Sequence, residues 1–306
     1  STLLERLGSL YRAAGKYPEA IAAFRQIGDL EPEAASRVAI QVIETHAAGK
    51  NYTAAQQEAD AALKKFPKDR PVALVHASLL ADIGKTDQAV SELRALMNGE
   101  KDRETMLAIA QIYEKAKRYT DEQSVLDQAE KLSTTKMEKQ SVQFMRGAMF
   151  EKIKNFDAAE AAFRSVLKED PDNAGAMNYL GYMLADRNVR LDEANKLISR
   201  AVELDPQNGA YLDSLGWVFY RQNQLDQAAD QLRRALEKIG KDPTVHDHLG
   251  DVYFKQGKVK EAIAQWQASL KEWEATPPAE LDPVEVSKIG KKLESARVRV
   301  AKESQR

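Results

Sequence analysis

The sequence of 306 residues contains no cysteine. This absence excludes disulfide bonds, thiolate metal ligands and cysteine nucleophiles, although it does not fix the cellular compartment. Long apolar runs are also missing, since no stretch reaches the roughly 18 residues of a membrane span and no apolar signal-peptide core follows Ser1. The sequence therefore predicts neither a membrane span nor a visible leader.

A strong charge of one sign is lacking as well. The 45 lysines and arginines nearly balance the 47 aspartates and glutamates, which gives a formal net charge of -2. No overall basic field draws the chain to nucleic acid or to anionic lipid. We expect no nucleic-acid partner.

Signatures of catalysis are absent too. The sequence has no glycine-rich phosphate loop, nucleophile elbow or GKS/GKT motif. His246 and His248 are two residues apart, so they face different sides of a helix, and His46 and His76 have no acidic residue at metal-ligand spacing. His246 occupies an apolar repeat position, which predicts a packed, neutral ring. We therefore expect a protein that is not an enzyme, with no catalytic residue, cofactor or metal.

A repeated pattern is what the chain does contain. Between residues 209 and 270, Leu215 is matched by Leu249 and Gly216 by Gly250, each 34 residues later. Apolar residues at i, i+3, i+4 and i+7 predict one helix, and a second apolar set after a polar turn predicts another. A single helical hairpin cannot bury its apolar faces alone, so the chain should contain a stack of them.

The pattern resembles the tetratricopeptide repeat (TPR) family, and the first repeat carries the resemblance in Leu4, Leu7, Gly8, Tyr11, Ala20, Phe24, Ile27 and Pro32. The resemblance implies an all-α fold, a right-handed α-solenoid of about eight hairpins with a C-terminal capping helix. We expect a single array over residues 1–273 and the capping helix over 277–306. The predicted repeats span about 1–34, 35–69, 70–102, 103–136, 140–173, 174–208, 209–242 and 243–276.

Small residues explain part of this pattern physically. Gly8 and its equivalents, with Ala20 from the other side, leave room where the two helices of a hairpin approach most closely. Added bulk there should cost about 1–3 kcal/mol. Glu122 departs from the pattern because it stands where a small alanine is expected, which makes a looser fourth hairpin the expectation.

Two segments allow alternative interpretations. The extra residues between repeats four and five lie at Ser133–Lys136 and indicate either a longer turn or a point where two half-arrays flex. In the tail, Val286, Ile289, Leu293, Ala296 and Val300 form an apolar stripe that can cover repeat eight. The opposite side is basic, and it is interpreted as the polar face of a cap or alternatively as a docking helix; it comprises Lys288, Lys291, Lys292, Arg297, Arg299 and Lys302.

The resemblance also implies a binding site, because the first helices of TPR units line a concave groove. Its inward positions, carried onto this sequence, select aromatic and polar residues in repeats five to eight: Phe144, Asn178, Tyr182, Asp213, Trp217, Tyr220, Asp247, Asp251 and Phe254. Aromatic rings are frequent interface anchors, and the carboxylates favour a basic ligand. These rings can instead pack against the next repeat. The lysines of the chaperone-binding subgroup are missing, which disfavours chaperone tails.

Two hypotheses of function follow. The first is a non-catalytic scaffold that binds a basic, aromatic protein or peptide segment in the groove, mainly through repeats five to eight. The second is a structural or oligomerisation arm of a larger bacterial assembly, in the envelope or the cytoplasm, that associates through its terminal repeats. The closing repeats resemble those of bacterial TPR proteins, some of them exported. The compartment stays open between the bacterial cytoplasm and, only if an upstream signal peptide was removed, the periplasm.

Overall fold

The structure is a computed structural model that describes residues 2–277 and 279–304. Ser1, Pro278, Gln305 and Arg306, which the predicted array and capping helix include, lie outside the described residues. Throughout the described part the chain forms helices and turns without β-strands, so it is an all-α helical-repeat solenoid. None of the described helices is both long and apolar enough to cross a lipid bilayer.

The chain divides into two compact units. Unit 1 contains residues 1–133 with Pro277–Glu280, and unit 2 contains Thr134–Thr276 with Leu281–Arg306. Unit 1 has four hairpins and a short 3-10 helix, Pro32–Ala34. Its α-helices are α1 (Thr2–Ala13), α2 (Tyr17–Leu30), α3 (Ala35–Ala48), α4 (Tyr52–Lys65), α5 (Arg70–Asp82), α6 (Thr86–Ala95), α7 (Asp102–Lys115) and α8 (Tyr119–Leu132).

Unit 2 also has four hairpins, followed by a single long helix. Within this unit the second helix of each hairpin packs on the first helix of the next, and successive first helices contact one another. The helices are α9 (Lys136–Lys152), α10 (Phe156–Glu169), α11 (Ala174–Asp186), α12 (Leu191–Leu204), α13 (Gly209–Arg221), α14 (Leu225–Ile239), α15 (Pro243–Lys255), α16 (Val259–Ala275) and α17 (Pro283–Ser304).

The close approach predicted at the repeat glycines is confirmed. A Cβ on Gly8 would lie 2.6 Å from the ring of Phe24, and one on Gly216 would lie 2.6 Å from Leu232 Cγ and 3.2 Å from the backbone oxygen of Ala228. Both distances to the side chains are shorter than a carbon–carbon contact allows. These two hairpins therefore close only because the first helix has no side chain at this point.

The extra residues between repeats four and five do not form a longer turn. Ser133, Thr134 and Thr135 form a short turn, and the additional length lies in α9, which begins at Lys136 and has 17 residues. Thr135 caps this helix: its hydroxyl accepts from the Glu138 backbone N–H, and the Glu138 carboxylate accepts from the Thr135 backbone N–H. Such a capping box fixes the start of a helix. The boundary between the two units falls one residue before this cap.

A left-handed residue closes the turn inside every hairpin. Glycine or asparagine, which tolerate a positive φ, serve in five of these turns, but lysine serves in three. Lys50, Lys117 and Lys154 have φ of 58°, 57° and 60°. The lysines hold a backbone conformation that glycine adopts at lower free energy, and all three are exposed.

Glu122 is enclosed in the fourth hairpin rather than excluded from it. The residue is 1% exposed within α8, and its neighbours Val125 and Leu126 are buried as well. The expected loosening of the hairpin therefore does not bring this side chain into water. The physical cost is instead the burial of a carboxyl group whose Oε2 makes no hydrogen bond within the protein.

An apolar stripe remains uncovered on α1. Leu3, Leu7 and Leu10 are 79%, 37% and 63% exposed. At the same repeat positions of α15, Val245, Leu249 and Val252 are buried, and so are Ala176, Leu180 and Met183 of α11. In the later repeats these positions face the preceding hairpin. The first helix thus presents an unpaired face of the kind that the later helices bury.

The apolar stripe predicted on the last helix is confirmed at its centre. Ile289, Leu293 and Ala296 of α17 are buried in one cluster with Trp266 and other residues of α16. The position predicted for Lys292 is wrong, however. Lys292 was expected on the outer, basic side, but it is partly buried and its ammonium group contacts α15. In an α-helix with 3.6 residues per turn, the residue at i+3 lies beside the residue at i. Lys292, three residues after Ile289, therefore borders the apolar stripe.

Candidate functional site

The nine predicted groove residues all lie on first helices of unit 2. Phe144 belongs to α9, and the others are distributed in order along the next three first helices. Asn178 and Tyr182 lie on α11; Asp213, Trp217 and Tyr220 on α13; Asp247, Asp251 and Phe254 on α15. Because α11 contacts α13 and α13 contacts α15, residues on their shared side are held beside one another.

An aromatic cluster forms where these three helices meet. The Trp217 ring stacks on Tyr220 at 4.8 Å between centroids and on His248 at 4.2 Å, with interplanar angles of 18° and 19°. Tyr182 lies 6.3 Å from the same imidazole. The structure therefore brings three of the predicted aromatic residues together around a histidine. Trp217 is itself 8% exposed, whereas Tyr182 and Tyr220 are only partly buried.

His248 is the residue that sequence reasoning missed. It is buried, and its Nδ1 lies 2.9 Å from Asp213 Oδ1 on the preceding first helix. Burial acts to lower the pKa of His248, but the charge and hydrogen bond of Asp213, together with Asp247 and Asp251, outweigh it and leave the pKa raised. His246, expected to be the packed ring, is only partly buried and bonds to Gln265.

The signal for His248 exists in the sequence but spans two repeats. Asp213 and His248 are 35 residues apart, one repeat plus one residue. Asp213 of α13 therefore lies opposite the residue that follows its own repeat equivalent on α15. Within its own repeat, His248 can be compared only with His246, so the contact with Asp213 of the preceding repeat is not found.

A single lysine pairs with two more of the predicted carboxylates. Lys292 Nζ lies 2.9 Å from both carboxylate oxygens of Asp247 and 2.8 Å from Asp251. Burial lowers the pKa of Lys292, but the two aspartates outweigh it and leave the pKa raised. Burial and the charge of Asp247 raise the pKa of Asp251, against the opposing effect of Lys292. The acidic pair is thus already held by a cation of the same chain.

Two polar atoms of the predicted site are buried without a hydrogen-bond partner. They are Asn178 Oδ1, an acceptor, and Trp217 Nε1, a donor. Cations border the same region, since Lys255 Nζ lies 4.8 Å from the ring centroid of Tyr220 and the Arg221 guanidinium 5.8 Å from that of Trp217. Buried polar atoms of this kind call for water or a bound group.

The outermost two predicted residues do not join the cluster. Phe144 packs edge-on against Phe163 and Tyr179, with centroids 5.8 and 5.2 Å away. Phe254 packs on Trp266 at 5.5 Å, and the Arg299 guanidinium of α17 lies 5.6 Å from its ring centroid. Both rings are partly buried. The predicted set therefore divides into a central cluster and two flanking aromatic contacts.

Unit 1 contains a second buried histidine with acidic neighbours. His76 Nε2 lies 2.8 Å from Asp60 and Nδ1 lies 2.6 Å from Glu92. The carboxylates face opposite ring nitrogens, so they link α4, α5 and α6 instead of converging on one point. Across residues 2–277 and 279–304, no group of three histidine or acidic side chains is arranged to hold a metal ion.

Comparisons with known proteins agree with the hairpin architecture. Family models of the tetratricopeptide repeat match residues 3–37, 150–209 and 214–280. A TPR repeat-containing protein of Pseudomonas aeruginosa is 35% identical over 155 residues, which are 50% of this chain and 26% of that protein. The matched region thus covers about a quarter of the length of this relative.

Solved structures with the same helical architecture come from several organisms. Yeast Tom70 is similar over 93% of this chain and 59% of its own, with a TM-score of 0.66 and 16% identity. The APC/C hetero-tetramer Cut9-Hcn1 gives a TM-score of 0.59 and 15% identity over 92% and 52%. A TPR protein of Thermus thermophilus gives 0.52 and 17% over 64% and 99%. At these identities the likeness concerns the fold alone.

Proposed function

This chain belongs to the tetratricopeptide repeat family, and from that premise we propose that it is a non-catalytic scaffold that binds a segment of a partner protein on the inner side of unit 2. TPR proteins are in general scaffolds and typically bind other proteins, and the fold supports this broad role. The placement of the site on α9, α11, α13 and α15 is the finer part of the proposal.

The packing of unit 2 supports this placement. Successive first helices contact one another more closely than successive second helices do. In a curved stack, the helices that approach one another line the inner side. The predicted residues of α11, α13 and α15 lie on helices of that side, where an extended or helical segment can contact several repeats at once.

The observation that carries the proposal is the aromatic cluster. Tyr182, Trp217 and Tyr220 come from two successive first helices. Trp217 stacks between Tyr220 and His248 of a third first helix, and Tyr182 lies beside the same imidazole. Their mutual packing holds the rings in place before any partner arrives, so little side-chain entropy is lost on binding. Tyrosine and tryptophan so arranged are the usual anchors of protein interfaces.

The predicted preference for a basic, aromatic partner rests on the carboxylates of this region. Asp213 pairs with His248, and Asp247 and Asp251 pair with Lys292. A partner lysine or arginine must therefore displace His248 or Lys292 from its aspartate partners. We propose that the aromatic cluster supplies the contact area and that such an exchange supplies the charge selectivity.

Titration with a library of 12-residue peptides rich in lysine, arginine and aromatic residues tests the proposal. We expect selected peptides to change the tryptophan emission, because Trp217 lies in the cluster. Tyr182→Ala should weaken their binding at least tenfold, an effect usual for an interface anchor. Leu204→Ala, which alters an exposed apolar residue of a second helix, is the matched control. Equal affinities of the Tyr182→Ala variant and the parent chain would remove the cluster from the proposed site.

The uncovered stripe on α1 favours a second candidate function, self-association through the first repeat. Its leucines occupy positions that later repeats bury against a neighbouring hairpin. We expect a concentration-dependent dimer in light scattering, and Leu3→Asp with Leu10→Asp should abolish it by placing two charges on the stripe. Leu30→Asp, at an equally exposed leucine of α2, should leave the dimer intact. A strict monomer at every concentration of the parent chain would contradict this candidate.

A further inference from the structure

The last helix occupies a surface that is both acidic and apolar. The α17 docking surface consists of Asp247 and Asp251 on α15 with Val259, Ala262 and Trp266 on α16. Ile289, Leu293 and Ala296 of α17 pack on the apolar part, and Lys292 binds the acidic part. The four contacting residues of α17 follow the spacing i, i+3, i+4 and i+7. They therefore form one face of the helix.

The acidic part of this surface requires a cation. Asp247 and Asp251 are one helical turn apart, and their side chains are both mostly buried. Two carboxylates at this spacing repel each other, and burial strengthens the repulsion. If Lys292 leaves, an incoming group must bring a positive charge to the same point. The surface thus specifies the chemistry of any replacement.

The attachment of α17 is slight compared with that of the helices around it. Among residues 283–302, the part of α17 whose burial the structure describes, three are buried, whereas α15 buries five of its 13 residues. Val284 and Val298 of α17 remain exposed. A helix held by one short apolar stripe, one partly exposed lysine and the contact of Arg299 with Phe254 can be replaced by another helix that offers the same contacts.

We propose that the α17 docking surface is a binding site for an amphipathic helix of a partner protein and that α17 is its resident occupant. The partner helix carries a large aliphatic residue at i, a lysine at i+3, leucine at i+4 and a small residue at i+7, as Ile289, Lys292, Leu293 and Ala296 do. It binds by displacing α17. This proposal deepens the proposed scaffold function, on which it rests, by naming the partner's charge, its apolar spacing and the internal competitor.

A labelled peptide tests the exchange in the full chain. The probe is a fluorescein-labelled peptide with the sequence of residues 283–304, and its binding is followed by fluorescence anisotropy. The tethered α17 competes at a high effective concentration, so the parent chain should bind the probe weakly. Lys292→Ala loosens the resident helix and should tighten the binding of the probe at least tenfold. Lys288→Ala, whose ammonium group pairs with Glu285 of the same helix, should leave the affinity within about twofold.

Further variants separate this site from the aromatic cluster. In the Lys292→Ala chain, Asp247→Asn with Asp251→Asn should weaken the probe at least tenfold, because the lysine of the probe loses its partners. Tyr182→Ala in the same chain should leave the affinity unchanged. The proposal is overturned if folded Lys292→Ala binds the probe no better than the parent, or if Tyr182→Ala abolishes binding. Failure of the library peptides to bind the cluster would leave the probe result intact and would reject only the aromatic site.

Hydrogen exchange of the parent chain gives a test that does not depend on a variant. If α17 leaves as one element, the amides of Ile289 and Leu293 exchange faster than those of Val252 and Trp266, and excess probe accelerates them further. Equal protection of α17, α15 and α16, unaltered by the probe, would show that α17 is a fixed cap and would overturn the proposal.

Discussion

Replacement of Gly216 by alanine is expected to lower the free energy of unfolding of unit 2 by about 1–3 kcal/mol. The new Cβ would lie 2.6 Å from Leu232 Cγ and 3.2 Å from the backbone oxygen of Ala228. Leu232 is fully buried, so it has no empty space to enter, and the backbone of α14 cannot yield without separating the hairpin. Gly216→Val should lower the free energy of unfolding further, because a branched side chain is larger and meets the same atoms of Leu232 and Ala228.

Tryptophan fluorescence measures this effect selectively. The three tryptophans of the chain, Trp217, Trp266 and Trp273, all belong to unit 2. Chemical denaturation followed at the tryptophan emission therefore reports on this unit even if unit 1 unfolds separately. Gly290→Ala is the matched control, because a Cβ at this α17 position meets no atom within 4 Å. It should stabilise the helix by up to about 1 kcal/mol. A Gly216→Ala chain as stable as the control would contradict the close approach.

Glu122→Gln is expected to stabilise unit 1 at alkaline pH by roughly 2–4 kcal/mol while changing little near pH 5. Burial, and secondarily the charge of Glu114, raise the pKa of Glu122 from 4.5 to about 8. Between these two values the folded chain holds a proton that the unfolded chain has lost. The free energy of unfolding of the parent chain should therefore fall as the pH rises from about 5 to 8. Glutamine has the same shape without a charge, so this loss should be absent.

Hydrogen exchange at the amides of α7 and α8 measures the effect where it arises, because unit 1 has no tryptophan. Glu114→Gln removes the second cause of the raised pKa of Glu122. The pKa should then be raised less, and the loss of stability should be complete at a slightly lower pH. A parent chain whose α8 amides are equally protected at pH 5 and pH 9 would contradict a buried, protonated Glu122.

The close contacts within a repeat were predictable from the sequence, but the polar contacts between repeats were not. The 34-residue spacing and the repeat glycines indicated the hairpins, and the distances at Gly8 and Gly216 agree. Lys292 reaches Asp247 and Asp251 across 45 and 41 residues, and its exact rotation on α17 decides whether it faces water or α15. Periodicity fixes an apolar stripe, but it leaves the flanking positions undetermined.

The same limit applies to the candidate site. The resemblance to a repeat family selected first-helix positions, and three of the aromatic residues so chosen lie together in the structure. It did not indicate that Asp213 would pair with His248, because that pairing depends on the stagger of two neighbouring helices. Nor did it distinguish Tyr182, which is partly exposed, from Trp217, which is largely buried. The burial of a side chain at a helix interface depends on both helices, so the sequence pattern of one helix alone does not predict it.

The lysines that close three of the hairpin turns are also exposed sites at which we expect a trypsin-like protease to cut this chain. Lys50, Lys117 and Lys154 are exposed at turn tips, and trypsin-like enzymes cleave after lysine at such places. Cleavage there cuts the turn between the two helices of one hairpin and leaves the connections between hairpins intact. At each cut one fragment keeps the first helix of the hairpin and the next fragment keeps the second helix, so we expect the fragments to stay associated through these packed helices until they are denatured.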